Sequence, residues 1–229
     1  MNRGDRFLRP PLNLVLQGVK MNFEEMVSSR RAVNFFNPDK PIDPSLVKKM
    51  VEMASKAPSS FNLQPWNLII LTDKEDKLRL QKCAMNQEKV STAPVTMIVL
   101  ADNHGFFEGH QTVERVFREN IKAGTMTEKQ RDWFEKARTK LYGKNERTIQ
   151  AFSCKNTGFF AMALMFAAKS LGIESHPMDG FDHDKVMAEF NIPENFYIPL
   201  LIAFGYFDES KSLSAPKWRK GYDDIVLRF

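Results

Sequence analysis

Two short polar runs hold the residue types with chemical potential. In Ser28-Ser29-Arg30-Arg31-Ala32-Val33-Asn34, two adjacent guanidinium groups leave a helix end, and their planar forks suit one compact dianion such as a phosphate. Taken alone, such a run is more often a solvated basic turn. In Ala57-Pro58-Ser59-Ser60-Phe61-Asn62-Leu63-Gln64-Pro65-Trp66, two prolines stiffen the ends, while Ser59, Ser60, Asn62 and Gln64 offer donors and acceptors that suit a heterocycle. By itself a proline-bounded polar turn before a strand is more often plain connection. Cys83 and Cys154 are far apart and show no CxxC, and His104, His110, His176 and His183 lack metal-ligand spacing. Neither a disulfide framework nor a metal site is expected. His176 and Cys154 read as structural, having no partner spaced for nucleophilic chemistry, and no catalytic acid, base or nucleophile is assigned.

The elements that must position these runs can be read from periodicity and capping. Asn22 with Glu25 makes a capping pair for a short helix running towards Ser28. Asp43 before Pro44 starts a second helix, reaching about Lys56. Trp66 to Leu71 and Pro94 to Ala101 read as buried strands, with a helix from about Lys74 to Ala84 between them. Residues 105–143 mix charges and aromatics at helical spacing, an inserted excursion of the kind that covers sites. From Arg147 to Leu171 the chain is apolar around the whole helix, with small Gly158, Ala161, Ala163, Ala167 and Ala168, and Gly172 stops it. Strands at Ile173–Pro177 and Pro199–Phe207 and a helix at Asp182–Phe190 complete the chain. The expected fold is α+β: a mixed, mainly antiparallel central sheet flanked by helices, with the helical excursion and a long buried helix.

Composition sets the limits. The 229 residues are 43% hydrophobic, enough for one large core. Thirty-three basic residues against 28 acidic ones leave a formal +5, but the charges interleave, as in Lys74-Glu75-Asp76-Lys77, so no stripe for nucleic acid forms. No apolar run approaches membrane-spanning length, and the cysteine usage fits a reducing cytoplasm. Residues 1–20 carry Arg3, Arg6 and Arg9 before Leu12–Val19, yet Asn13 and Gln17 interrupt that stretch and no small-residue cleavage site follows. They are a leader, an arm, or translated sequence upstream of Met21, and residues 21–229 form the domain proper.

The two polar runs together resemble the signatures of the nitroreductase family of FMN enzymes, an SRRSxR-like run and a PSSxNxQPW-like loop. Three further elements follow in the family's order: Asn86 with Lys89, the stretch His176-Pro177-Met178-Asp179-Gly180-Phe181-Asp182, and the basic pair Lys217 and Arg219. The resemblance spans nearly all of the chain beyond the leader.

That resemblance implies a role for each element. Arg30, Arg31, Lys217 and Arg219 would hold the FMN phosphate and ribityl chain, with Ala32 and Asn34 beside them. Asn86 and Lys89 would contact the pyrimidine edge, where a cation favours the reduced ring. Backbone around Pro177, Met178, Asp179 and Gly180 would lie against N5. Pro58, Ser59, Ser60 and Asn62 would reach the flavin bound mainly by the other subunit of a homodimer, with the long small-residue helix at the interface. The family's reaction is ping-pong: hydride from NADPH or NADH to flavin, then to a nitroaromatic or quinone-like acceptor beneath aromatics drawn from Phe106, Phe107, Phe117, Trp133 and Phe134. Asn34 stands where the family commonly has a basic residue and Ala32 where it commonly has serine, so a less positive potential or weaker FMN retention is expected. Rival readings are another flavin reaction on this scaffold, dehydrogenation or reductive dehalogenation, and a flavin-binding protein without turnover.

Overall fold

A computed structural model describes residues 21–228, so the expected leader at 1–20 lies outside the described residues. In chain order the elements begin α1 (Phe23–Ser29), α2 (Pro44–Ala54), β1 (Trp66–Leu71), α3 (Lys74–Cys83), α4 (Lys89–Thr92) and β2 (Val95–Asp102). Next come α5 (Gln111–Lys122), α6 (Arg131–Tyr142) and the 25-residue α7 (Glu146–Ser170). The chain closes with β3 (Glu174–Met178), α8 (His183–Glu189), β4 (Phe196–Gly205) and α9 (Tyr222–Ile225).

Local chemistry fixes the helix starts. Asn22 and Glu25 form the reciprocal capping box of α1, and the Asp43 carboxylate accepts from the Ser45 N–H with Pro44 in the first turn of α2. At the far end of α7, Gly172 takes φ +76°, a conformation that side chains resist.

The four strands form one antiparallel sheet ordered β1-β2-β4-β3. Among the described residues the parallel contribution is one bridge, from Ala32, outside the strands, to Ser175 of β3. Every residue of β2 is buried, because both faces of the sheet are covered. Val95, Met97 and Val99 pack towards α2 and α7, while Ile98 and Leu100 pack towards α3 and α8. Each set alternates along the strand, as the two-residue period demands.

The excursion has a core of its own. Phe106, Val113, Val116, Phe117, Phe134 and Phe152 form a third cluster with Leu63 of the 57–66 loop. Arg138 lies fully buried in it: Nε donates to the Phe106 carbonyl at 3.1 Å, Nη1 to the Phe134 carbonyl at 2.9 Å, and Nη2 pairs with Glu135. Arg131 ties α6 to α5 through Glu114 at 2.9 Å. At the base of α5, His110 Nε2 donates to buried Asp102 at 3.1 Å while its Nδ1 accepts the Thr112 N–H, anchoring the excursion to the end of β2.

Candidate functional site

The basic run sits where α1 meets the sheet. The Ala32–Ser175 bridge and the Val33 N–H to Ser175 carbonyl bond at 3.1 Å lay the run beside β3. Arg30 is held partly out of water, and burial first, then the neighbouring Arg219, pushes its pKa down, opposed by Glu174; Arg31 adds a smaller push downward. Its Nη1 is buried without a hydrogen-bond partner among the described residues. A buried guanidinium nitrogen normally finds an acceptor. Arg31 Nη2 donates to the Ser214 carbonyl at 2.7 Å, tying the run to the segment bearing Lys217 and Arg219. Arg30, Arg31 and Arg219 therefore lie near one another. Lys217 lies two residues from Arg219 and is exposed, as is Asn34.

From this cluster a chain of contacts leads along β3. His176 Nδ1 donates to the Val33 carbonyl at 2.9 Å. Burial and the adjacent Lys89 hold the imidazole down to about 4, against the Val33 bond, which acts upward. Lys89 is itself lowered by desolvation, and it makes no ion pair among the described residues. Its ammonium donates to Gln87 Oε1 at 3.0 Å, and Gln87 Nε2 donates to the Gly180 carbonyl at 2.7 Å. Asn86 and Asp179 are exposed beside this link, Pro177 is half-buried, and Met178 is buried in the core.

The 57–66 loop is seated elsewhere, on α7. Buried Asn156 accepts the Ser60 N–H at 3.0 Å, Lys155 Nζ donates to Ser60 Oγ at 2.9 Å, and Thr157 Oγ1 donates to the Pro65 carbonyl at 3.1 Å. Within the loop Ser59 Oγ accepts the Gln64 N–H at 3.0 Å. Pro58 and Asn62 are exposed, and Trp66 opens β1 by stacking on Phe160 at 5.1 Å. No hydrogen bond or ion pair among the described residues joins this loop to the arginine cluster.

Backbone strain gathers in the same two places. Of the non-glycine residues with positive φ, Phe61, Asn62 and Gln64 lie in the loop and Met85 and Asn86 beside Lys89; Asn191 is the exception. Held strain of this kind is concentrated at functional sites. A groove of about 820 Å³ opens between the start of α7, α8 and the start of β4; Phe107 of the aromatic pool lines it, whereas none of the residues expected to contact flavin does.

The aromatic pool divides. Phe106, Phe117 and Phe134 are core, whereas Phe107 and Trp133 are exposed, Trp133 lying 6.3 Å from Phe61 of the loop. Asn156 and Gln87 escaped the sequence reading. The first carried a signal, since an asparagine within an apolar helix must find a partner.

A nitroreductase-family model matches residues 27–206. The chain belongs to the nitroreductase family. Within the family it is 29% identical over 198 residues to the NADH dehydrogenase of Thermus thermophilus, covering 86% of this chain and 91% of that protein. The structure of a nitroreductase family protein from Streptococcus pneumoniae is 31% identical, with a TM-score of 0.76 over 91% of this chain and all of the other. A protein of Exiguobacterium sibiricum solved in complex with FMN shares the nitroreductase fold at TM-score 0.78 and 23% identity, covering 90% of this chain and 96% of its own. The α+β fold with its antiparallel sheet is accordingly the nitroreductase fold. Lys217 and Arg219 lie beyond the matched span.

Proposed function

We propose that this chain is an FMN-dependent oxidoreductase that draws on NADPH or NADH and reduces flat, electron-poor acceptors such as nitroaromatics and quinones. The observation that carries the reading is the unpartnered, buried Nη1 of Arg30 inside a cluster of cations, a cradle that suits a phosphate. When bound, FMN would supply the two-electron chemistry, accepting hydride from the nicotinamide and yielding it to the acceptor.

The chain's own residues would bind and orient. Arg30, Arg31, Lys217 and Arg219 would share about two phosphate charges, with Ala32 and Asn34 at the rim. Lys89, withdrawn from water and without a carboxylate partner, would place positive charge at the pyrimidine edge beside Asn86. The main chain from Pro177 to Gly180 would line the ring. Pro58, Ser59, Ser60 and Asn62 would close the site from a second copy of the chain, so that each chain would hold two half-sites. The homodimer is therefore part of the reading. Phe61 and Trp133, on that second wall, would shield the acceptor from water. One slot would serve donor and acceptor in turn, giving ping-pong kinetics.

The test is spectroscopic. Purified protein should bind FMN and show flavin absorption that bleaches anaerobically on addition of NADPH or NADH, and it should oxidise that nucleotide steadily with menadione or nitrofurazone. A colourless protein that refuses FMN would overturn the proposal. Flavin that never bleaches would favour another flavin reaction, and bleaching without turnover a binding protein.

A further inference from the structure

Gln87 stands between the two groups expected to face opposite edges of the ring. Its Nε2 donates to the Gly180 carbonyl at 2.7 Å and the Ala84 carbonyl at 3.2 Å, while its Oε1 accepts from Lys89 Nζ at 3.0 Å. A primary amide is suited to this post because it donates at one end and accepts at the other without carrying charge. A carboxylate there would neutralise Lys89 and repel the Gly180 carbonyl. A cation steadied by a dipole instead keeps its field available to a ligand.

The surrounding backbone holds the amide tightly. Met85 and Asn86 take φ of 52° and 53°, the Asn86 N–H bonds the Gln81 carbonyl at 3.0 Å, and the Gln87 N–H bonds the Ala84 carbonyl at 3.1 Å. On the other side, a Cβ added to Gly180 would stand 3.1 Å from Gln87 Nε2. A side chain there would press on the amide, which would have to give by a few tenths of an ångström.

We propose that Gln87 is a positioning residue that fixes the Lys89 ammonium relative to the Gly180 carbonyl and so sets how much more tightly the protein holds reduced than oxidised FMN. This inference rests on the FMN reading above. The reduced ring carries extra negative charge, so a cation held without a counter-charge favours it, and a cation set free to drift into solvent does so less.

The experiment compares wild type, Gln87→Met, Gln87→Glu, Lys89→Met and the Gln87→Met/Lys89→Met double variant. Oxidised FMN affinity is read by fluorescence quenching, and the reduced-to-oxidised affinity ratio from the potential in an anaerobic dye-equilibrated titration. Melting of the flavin-free proteins reports folding. Gln87→Met should lower the ratio by about tenfold, the scale of one hydrogen bond to a charged group. Gln87→Glu should lower it further. In the Lys89→Met background the Gln87→Met effect should shrink to about twofold or less, because the side chain acts through that ammonium. Should Gln87→Met fail to fold, Gln87→Glu, which keeps size and polarity, carries the comparison. An unchanged ratio, or an effect that persists undiminished without Lys89, overturns the role of Gln87 while leaving the FMN reading intact. Failure of the wild type to bind FMN overturns both.

Discussion

At His176 the environment works against charge: burial, then the Lys89 ammonium, holds the imidazole down to about 4. In the unfolded chain it would titrate near the ordinary value of about 6.5. Between those two values the unfolded state binds more protons, so stability must rise with pH across this window. The contribution is complete above about pH 6.5 and lost as pH falls through about 4. A shift of this size corresponds to at most about 3 kcal/mol, and solvent at the half-buried ring reduces it to roughly 1–2 kcal/mol. Urea unfolding of flavin-free protein at pH 7.5 and pH 5 should show that loss, and His176→Asn, which can still donate to the Val33 carbonyl, should remove most of it. Equal pH dependence in both proteins would refute the assignment. The residue was legible only in part. Lacking a spaced partner, it read as structural, but the Val33 carbonyl and Lys89 that fix its state come from segments far away in sequence. Arg30, Arg31, Ser60 and Gly180 stand out in the sequence because each sits in a run of recognisable order, whereas Gln87 between two such residues leaves no periodic trace.

Three helix boundaries were readable to within about two residues from a cap signal, the side chains of Asn22 and Asp43 and the backbone freedom of Gly172. Strand β4 shows where such reading stops. The sequence places the strand start at Pro199, which lacks an N–H, yet β4 begins at Phe196. Val99 pairs with Leu200 and Ala101 with Tyr197, so Ile198 and Pro199 together oppose Leu100 in a bulge where no ladder donor is needed. Only the partner strand discloses that. The excursion offers a test at this scale. Its buried Arg138 satisfies two carbonyls and Glu135, so Arg138→Leu should cost about 2–4 kcal/mol by leaving the carbonyls unpaired and Glu135 with only its longer contact to Arg131. Hydrogen exchange should then rise in α5 and α6 before the sheet. Uniform loosening throughout the molecule would show that the excursion is no separate unit.

For the molecule as a whole, α7 is the telling element. The sequence presents it as apolar all round, and the structure buries one side while leaving Gly158 and Phe159 exposed with Met162 and Phe166 half-buried along a stripe. Phe23 of α1 packs against Phe166 at 5.6 Å and extends that stripe, being 69% exposed. An apolar patch of this length on one chain suits a second copy. Phe159→Glu should convert a dimer to a monomer by sedimentation and weaken FMN binding by about tenfold or more, the scale of losing a central interface anchor. A wild-type protein that sediments as a monomer would refute the dimer, and with it the account of two half-sites.

The bond from Arg31 to the Ser214 carbonyl has a practical corollary. It pins a tail whose Lys211, Lys217, Arg219 and Lys220 are exposed, each a peptide bond open to trypsin. If anion binding at Arg30 and Arg219 tightens that grip, digestion of the tail should slow several-fold in saturating FMN, and also in inorganic phosphate alone. Cleavage rate would then report occupancy in a gel lane, with no need of colour, and Arg31→Ala should abolish the protection.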